Sequence, residues 1–188
     1  MDLKVLEKLC LAVGISGDEG AVRDLILDEV RPYAESIKIT PLGDLLVFVR
    51  GEKKTGKKMM ISAHMDEVGM IITEIAADGY LKFSAVGSID SNVLLGKTVY
   101  VNGKTRGVIG GKPVHLMKGD EREKAVPIRE LTVDIGAASR EEAEKVCAVG
   151  DYINFSPVFS HNNGIVQGKA LDDRMGCAVL IELIKSGM

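Results

Sequence analysis

Hydrophobic residues recur along the first third of the chain at spacings that predict alternating helices and strands. Residues 2–13 place leucines and a cysteine on one helical face, and residues 16–31 repeat this pattern after a Ser-x-x-Glu capping box. Residues 36–40 and 45–49 alternate between apolar and polar side chains, as half-buried strands do. Residues 59–63 form a nearly continuous apolar run, which predicts a strand buried on both faces. This third of the chain is therefore predicted to begin an α/β layer.

The pattern changes after residue 67 to short apolar stretches that are separated by turn residues. Six such stretches predict strands, at residues 68–75, 80–83, 98–101, 107–110, 131–134 and 151–155. A second capping box, from Ser139 to Glu142, predicts one short helix that ends near Cys147. Many short strands in about a hundred residues are typical of a β-barrel or sandwich.

The α/β pattern returns near the end of the chain. Residues 164–169 predict a strand, and residues 174–185 predict a helix with one apolar face. The sequence therefore predicts an α/β domain formed by residues 1–67 and 163–188. A β-rich insertion at residues 68–162 interrupts it. We expect the late strand to lie beside the apolar run at residues 59–63.

Charge and composition exclude several kinds of partner. The 188 residues carry a formal charge of −3, so the chain lacks the basic surface that nucleic acids and anionic membranes require. No apolar run reaches membrane-spanning length, and no secretory apolar segment opens the chain. The three cysteines lack metal-binding spacing. We expect them to be buried free thiols in a cytoplasmic protein.

Two short polar segments carry the candidate chemistry. His64 ends the apolar run and Asp66 follows two residues later, so in an extended strand both side chains point the same way. A metal-bound imidazole needs this arrangement, because a carboxylate on its second nitrogen fixes the ring. Asp172 stands where a predicted strand gives way to a helix. We expect His64 and Asp172 to be metal ligands at the carboxyl end of the sheet.

Each segment also has other interpretations. A His-x-Asp pair at a strand end can be a structural hydrogen bond, and adjacent aspartates at a helix start can be caps. A glycosidase would need two carboxylates that face each other, whereas Asp172 and Asp173 are adjacent and splay apart. A serine or cysteine hydrolase would need a nucleophile near a histidine, and the sequence contains no Gly-x-Ser-x-Gly segment.

The segments at residues 63–69 (AHMDEVG) and 168–176 (GKALDDRMG) resemble those of dinuclear metalloaminopeptidases of the glutamyl aminopeptidase and TET type. Some members of that family are named as endoglucanase homologues. The resemblance implies an α/β peptidase domain, of phosphorylase/hydrolase-like fold, that is interrupted by a PDZ-like β-barrel dimerisation domain. It also implies peptide substrates, from which the N-terminal residue is removed, and homo-oligomers that dimerise through the β domain.

The resemblance assigns roles to individual residues. His64 matches the terminal imidazole ligand of one metal, and Asp66 matches the catalytic-site carboxylate that orients this imidazole. Asp172 matches the aspartate that bridges the two divalent metal ions, for which zinc would be usual and cobalt an effective substitute. Asp173 and Arg174 belong to the same motif. We expect Asp173 to act at the helix N-terminus and Arg174 to form a local ion pair, with no part in the chemistry for either.

The chain also departs from the family pattern. The family's glutamate base and its remaining metal ligands follow the bridging aspartate, but only 16 residues follow Asp172. His115 and His161 are expected to be structural or turn residues, with His161 the nearer to Asp172 in sequence. The sequence therefore predicts the N-terminal portion of such an aminopeptidase, inactive as this chain alone. The alternative is a non-catalytic dimerisation or scaffold fragment.

Overall fold

A computed structural model describes the chain over residues 2–51, 56, 58–116, 119 and 125–187. The chain divides into two compact units. Val68–Ser156 form one unit, called the barrel unit below, while Met1–Glu67 and Pro157–Met188 form the other, called the open unit. The predicted insertion ends at residue 162, whereas residues 157–162 belong to the open unit. No helix within the described ranges is long and apolar enough to cross a membrane.

Four α-helices and ten strands are formed by the described residues. The helices are α1 (Leu3–Leu11), α2 (Gly20–Val30), α3 (Arg140–Ala143) and α4 (Leu171–Lys185). The strands are β1 (Ser36–Ile39), β2 (Leu45–Phe48), β3 (Gly69–Ile75), β4 (Leu81–Val86), β5 (Thr98–Val101), β6 (Thr105–Gly110), β7 (Thr132–Asp134), β8 (Tyr152–Phe155), β9 (Phe159–Asn162) and β10 (Ile165–Gly168).

The six strands of the barrel unit close into a barrel in the order β3-β4-β7-β6-β5-β8. Their side chains alternate, as the sequence predicts: Leu81 and Phe83 on β4 are buried inside, whereas Lys82 between them is exposed. Every strand therefore has a hydrogen-bonded neighbour on each side, and the inward side chains fill one common apolar core.

Two local features fix the loops of the barrel unit. Gly79 has a φ of +85°, and a Cβ at this position would lie 2.5 Å from the Ala137 carbonyl oxygen, so the β3–β4 turn requires glycine. Helix α3 begins with the predicted capping box. Ser139 Oγ accepts a hydrogen bond from the Glu142 amide at 3.3 Å, and the Glu142 carboxylate accepts one from the Ala138 amide at 2.9 Å.

Three helices and two separate hairpins make up the open unit. Helices α1 and α4 pack together through buried residues that include Leu6, Leu9 and Ile181. Strand β1 pairs with β2, and β9 pairs with β10, both antiparallel. The two hairpins are separate two-stranded sheets, so the described part of the open unit has no central sheet.

The predicted capping box before α2 is wrong. Helix α2 begins at Gly20, and no side chain caps it. The Ser16 hydroxyl instead donates a hydrogen bond to Asp66, and the Glu19 carboxylate accepts one from the Gly17 amide at 2.7 Å. The Ser16 hydroxyl therefore binds a carboxylate 50 residues away and cannot also cap α2. The residues around Ser16 give no sign of this partner.

The predicted strand at residues 59–63 is also wrong. These residues belong to no sheet of the described chain, and Met59 and Met60 are 82% and 86% exposed. The expected neighbour, now strand β10, pairs with β9 instead. A continuous apolar run produces a buried strand only where neighbouring strands and covering layers exist, and the described open unit supplies neither at this segment.

Candidate metal centre

The imidazole of His64 lies between two carboxylates. Its Nδ1 is 3.0 Å from Asp66 Oδ1, and its Nε2 is 2.9 Å from Asp172 Oδ1. The protonated ring donates a hydrogen bond to both. When the ring is neutral and its proton is on Nδ1, the Nε2 lone pair faces an Asp172 oxygen, and a proton or a metal cation can then satisfy both groups. The structure thus brings together the three residues that the motifs singled out.

Backbone conformation explains how the three side chains meet. His64 and Asp66 lie two residues apart and their side chains face each other, as predicted, even though no sheet forms there. Asp172 lies at the start of α4 with extended dihedral angles (φ −90°, ψ 103°), which direct its carboxylate out of the helix. The Asp172–Asp173 peptide bond is cis. Asp173 Oδ1 accepts a hydrogen bond from the Gly176 amide at 2.9 Å, as the capping expectation for this residue predicts.

The three groups differ in exposure and in charge balance. The side chains of His64 and Asp172 are 54% and 95% exposed, so a ligand can approach them from solvent. Burial lowers the pKa of His64, but its hydrogen bonds to Asp172 and Asp66 outweigh burial and hold that pKa above its ordinary value. The pKa of Asp66 is held low mainly by the hydrogen bond from the Ser16 hydroxyl. Two carboxylates thus surround one exposed imidazole.

A buried ion pair supports the segment that carries His64. Lys169 Nζ donates to Glu67 Oε1 at 2.6 Å and to the Ala12 carbonyl at 2.7 Å, and both charged side chains are less than 10% exposed. The Gly14 amide donates to the same Glu67 oxygen at 3.3 Å. Burial lowers the pKa of Lys169, and the Glu67 charge opposes this shift. Glu67 thereby ties the His64 segment to the loop after α1 and to the residue that follows β10.

Arg174 extends this buried network. Its side chain is fully buried, and its guanidinium donates to the Leu9 carbonyl at 2.5 Å and lies 3.7 Å from Glu67 Oε1. Arg174 does form an ion pair, but the expectation of a local partner in the sequence is wrong, because Glu67 is 107 residues away. Sequence reasoning missed the parts played by Glu67 and Lys169. One signal was available in the sequence: Glu67 and Lys169 are charged residues that lie within the two motif segments, at residues 63–69 and 168–176.

His64 and Asp172 are the right kinds of metal ligand, but they are fewer than a catalytic zinc site uses. An imidazole nitrogen and carboxylate oxygens suit zinc or cobalt. A catalytic zinc site, however, uses three protein ligands, and the described residues contain no group of three or more His, Cys, Asp or Glu side chains placed to hold a metal ion. His161 lies on β9 opposite Val166, and His115 lies in a short 3₁₀ turn of the barrel unit, so neither joins such a group.

An exposed imidazole aligned by one aspartate and faced by another, on a scaffold of helices and strands, is an arrangement found in metal-dependent hydrolases. Comparison with known proteins gives the family. The M42 glutamyl aminopeptidase model matches residues 43–187, and the chain belongs to this family.

Individual relatives agree with that assignment. An aminopeptidase-like protein of Acetivibrio thermocellus is 38% identical over 181 residues, which are 96% of this chain and 52% of that protein. The TET aminopeptidase structure from Thaumarchaeota archaeon SCGC AB-539-E09 is 38% identical with a TM-score of 0.91, covering 98% of this chain and 53% of the other. The chain therefore spans about half the length of the relatives that it matches.

A further solved structure bears on assembly. The TET1 peptidase of Pyrococcus horikoshii is 38% identical with a TM-score of 0.85, and the match covers 98% of this chain and 56% of that one. That peptidase can assemble into a tetrahedron or a large octahedral shell.

Proposed function

We propose that this chain supplies part of the metal centre of an aminopeptidase that removes N-terminal residues from peptides. The observation that carries the proposal is the contact of His64 with Asp66 on one nitrogen and with Asp172 on the other. Asp66 would keep the ring proton on Nδ1 and thereby leave Nε2 for a cation. His64 would be a terminal ligand, and Asp172 a carboxylate able to bridge two metal ions, zinc or cobalt.

The same observation argues that these 188 residues do not cleave peptides alone. His64 and Asp172 offer two donors to a cation, whereas a catalytic zinc site uses three protein ligands, and the described residues contain no group of three such side chains placed to hold a metal ion. Family membership supports aminopeptidase chemistry for a protein that contains this chain together with the missing ligands.

A cobalt titration with histidine NMR spectra tests the ligand assignment. We expect the His64 resonances to shift and broaden at sub-millimolar cobalt, while those of His115 and His161 stay in place. The Asp172→Ala variant should weaken the effect, and the matched variant Asp173→Ala should weaken it less, because Asp173 faces the helix backbone. Equal responses from all three histidines would count against the proposed site.

The alternative function is that of a dimerisation scaffold, and the closed barrel favours it. The barrel unit has a complete set of paired strands and one core, so it can form a rigid interaction module, as the PDZ-like dimerisation domain of our prediction would be. Val93 and Leu95 are apolar and about half exposed on this unit. We expect light scattering to show a dimer, and Val93→Asp with Leu95→Asp to weaken it. A strict monomer at high micromolar concentration would contradict this role.

We further propose a cytoplasmic location. Cys10, Cys147 and Cys177 are all free and buried, which agrees with a reducing compartment. Cell fractionation with an antibody to the native protein would test the location.

A further inference from the structure

The Asp66 carboxylate is held through both of its oxygen atoms. Its Oδ1 lies 3.0 Å from His64 Nδ1, and its Oδ2 accepts a hydrogen bond from the Ser16 hydroxyl. The χ2 torsion of an aspartate is soft, so a carboxylate that is anchored by one oxygen alone can rotate away from its partner. Two anchored oxygens fix the plane of the group. The Ser16 hydroxyl is therefore placed to decide how Asp66 faces the imidazole.

A closed turn fixes the position of Ser16. The Asp18 amide donates a hydrogen bond to the Ile15 carbonyl at 2.8 Å, which closes a turn with Ser16 as its second residue. Gly17 is the third residue, and its φ of +92° is one that glycine adopts without strain. The backbone on both sides of Ser16 is thus set by the turn and not by the side chain that Ser16 contacts.

The same turn is tied to the segment that carries Asp66. The Glu67 amide donates a hydrogen bond to the Gly14 carbonyl at 2.9 Å, and Ile15 forms an isolated parallel β-bridge with Glu67. Ile15 is also fully buried, which anchors the start of the turn. Because these contacts join the neighbours of Ser16 and Asp66 through the backbone, they hold the hydroxyl beside the carboxylate without a ligand.

The two carboxylates that flank His64 are unequally shielded. The side chain of Asp66 is 35% exposed and bound by Ser16, whereas that of Asp172 is 95% exposed. A neutral imidazole has one ring proton to donate, and a hydrogen bond to a fully solvated carboxylate competes with water. The proton of the neutral ring is therefore expected on Nδ1, which faces the carboxylate that Ser16 holds.

We infer that Ser16 is a positioning residue of the candidate metal centre, whose hydroxyl orients Asp66 so that the proton of the neutral His64 ring stays on Nδ1. Nε2 then keeps the lone pair that a cation needs. Ser16 acts only through Asp66. Weaker metal binding on loss of the hydroxyl rests on the proposed function, whereas the position of the ring proton does not.

NMR shifts of the ring nitrogens of His64 test the inference, because they report which nitrogen carries the proton. Spectra of the chain are recorded without metal at alkaline pH, where the imidazole is neutral. Ser16→Ala should lower the ratio of Nδ1-protonated to Nε2-protonated rings at least about threefold, whereas Ser16→Thr should keep the wild-type ratio because threonine retains the hydroxyl. The matched control Ser139→Ala removes a hydroxyl hydrogen bond in the barrel unit and should leave the ratio unchanged.

A cobalt titration of the same variants measures the consequence for the metal centre. Ser16→Ala should weaken cobalt binding about three- to tenfold, less than the loss of roughly 10- to 100-fold that is typical when the carboxylate bonded to the histidine is itself removed. Ser16→Thr and Ser139→Ala should bind cobalt as the wild type does. Where Ser16→Ala does not fold, Ser16→Val takes its place, because valine matches threonine in shape and lacks the hydroxyl.

The two measurements separate the positioning role from the metal centre. A lower Nδ1 ratio in a chain that binds no cobalt supports the role of Ser16 and counts against the proposed metal centre. An unchanged ratio in Ser16→Ala overturns the inference, and cobalt binding would then support the metal centre alone. A wild-type ring protonated mainly on Nε2 also overturns it. An equal fall in Ser16→Thr would assign the effect to the shape of the turn and overturn it as well.

Discussion

The two units of this chain differ in how much of their hydrophobic surface they bury. The barrel unit closes its six strands and fills the interior with buried residues such as Met70, Leu81 and Ile153. The open unit buries one face of its helices but leaves Met59 and Met60 in solvent. A closed barrel satisfies its strand edges internally, whereas the segment that carries Met59 and Met60 belongs to no sheet of the described chain. The difference teaches that a sheet closed on itself buries its hydrophobic side chains more completely than two separate hairpins beside helices do.

The largest expected effect comes from the buried charges of the open unit. Glu67→Ala should destabilise that unit by about 3–5 kcal/mol, because Lys169 and Arg174 would remain buried without their carboxylate. Hydrogen exchange should show amides of α1 and α4 losing protection while those of the barrel keep it. The control Glu74→Ala removes a half-exposed pair with Lys82 in the barrel and should cost less than about 1 kcal/mol. An equal loss of stability in Glu67→Ala and Glu74→Ala would contradict the larger contribution that we assign to the buried ion pair.

A matched methionine pair compares the two units by packing. Met70→Ala should destabilise the barrel by about 2–5 kcal/mol, because Met70 is fully buried and its removal leaves a cavity. Met60→Ala should change stability by less than about 0.5 kcal/mol, since Met60 is 86% exposed. Urea denaturation followed by circular dichroism measures both. A large loss from Met60→Ala would contradict the exposed position of Met60.

The smallest expected effect is a pH dependence in the open unit. The hydrogen bond from Lys185 at 2.5 Å is the main cause that holds the pKa of Glu29 below its ordinary value. The bond therefore stabilises the fold above the ordinary pKa of about 4.5, and this contribution is lost as the pH falls through the lower folded-state value. The free energy of unfolding of the wild type should exceed that of Glu29→Gln by about 0.5–1 kcal/mol near pH 6, and the difference should shrink as the pH falls below about 4.5. A constant difference would contradict the assignment.

Local sequence patterns predicted the parts of the fold that depend on local geometry. The alternation around Leu81 and the capping box at Ser139 each need only neighbouring residues, and both predictions were confirmed. The apolar run at residues 59–63 was mispredicted because burial of a strand depends on other segments. Ser16 was mispredicted because its hydroxyl serves Asp66 rather than the helix beside it.

In the candidate site too, contacts between neighbouring residues could be predicted from the sequence, whereas contacts between distant residues could not. The His64–Asp66 contact agrees with the prediction that these two side chains point the same way, and the position of Asp172 beside them agrees with the motifs. Their roles as metal ligands stay predictions. The buried pair of Glu67 and Lys169 could not be predicted, because it joins positions 102 residues apart through contacts that only the folded chain creates.

Metal stoichiometry tests the central proposal, that His64 and Asp172 of the open unit are two donors to a metal ion. The purified 188-residue chain is equilibrated with zinc or cobalt, and bound metal and hydrolysis of aminoacyl substrates are measured together. We expect weak binding that His64→Ala and Asp172→Ala remove, with no turnover, because two protein ligands are too few for a tight zinc site. Two tightly bound metal ions per chain with robust cleavage of the N-terminal residue would contradict the account.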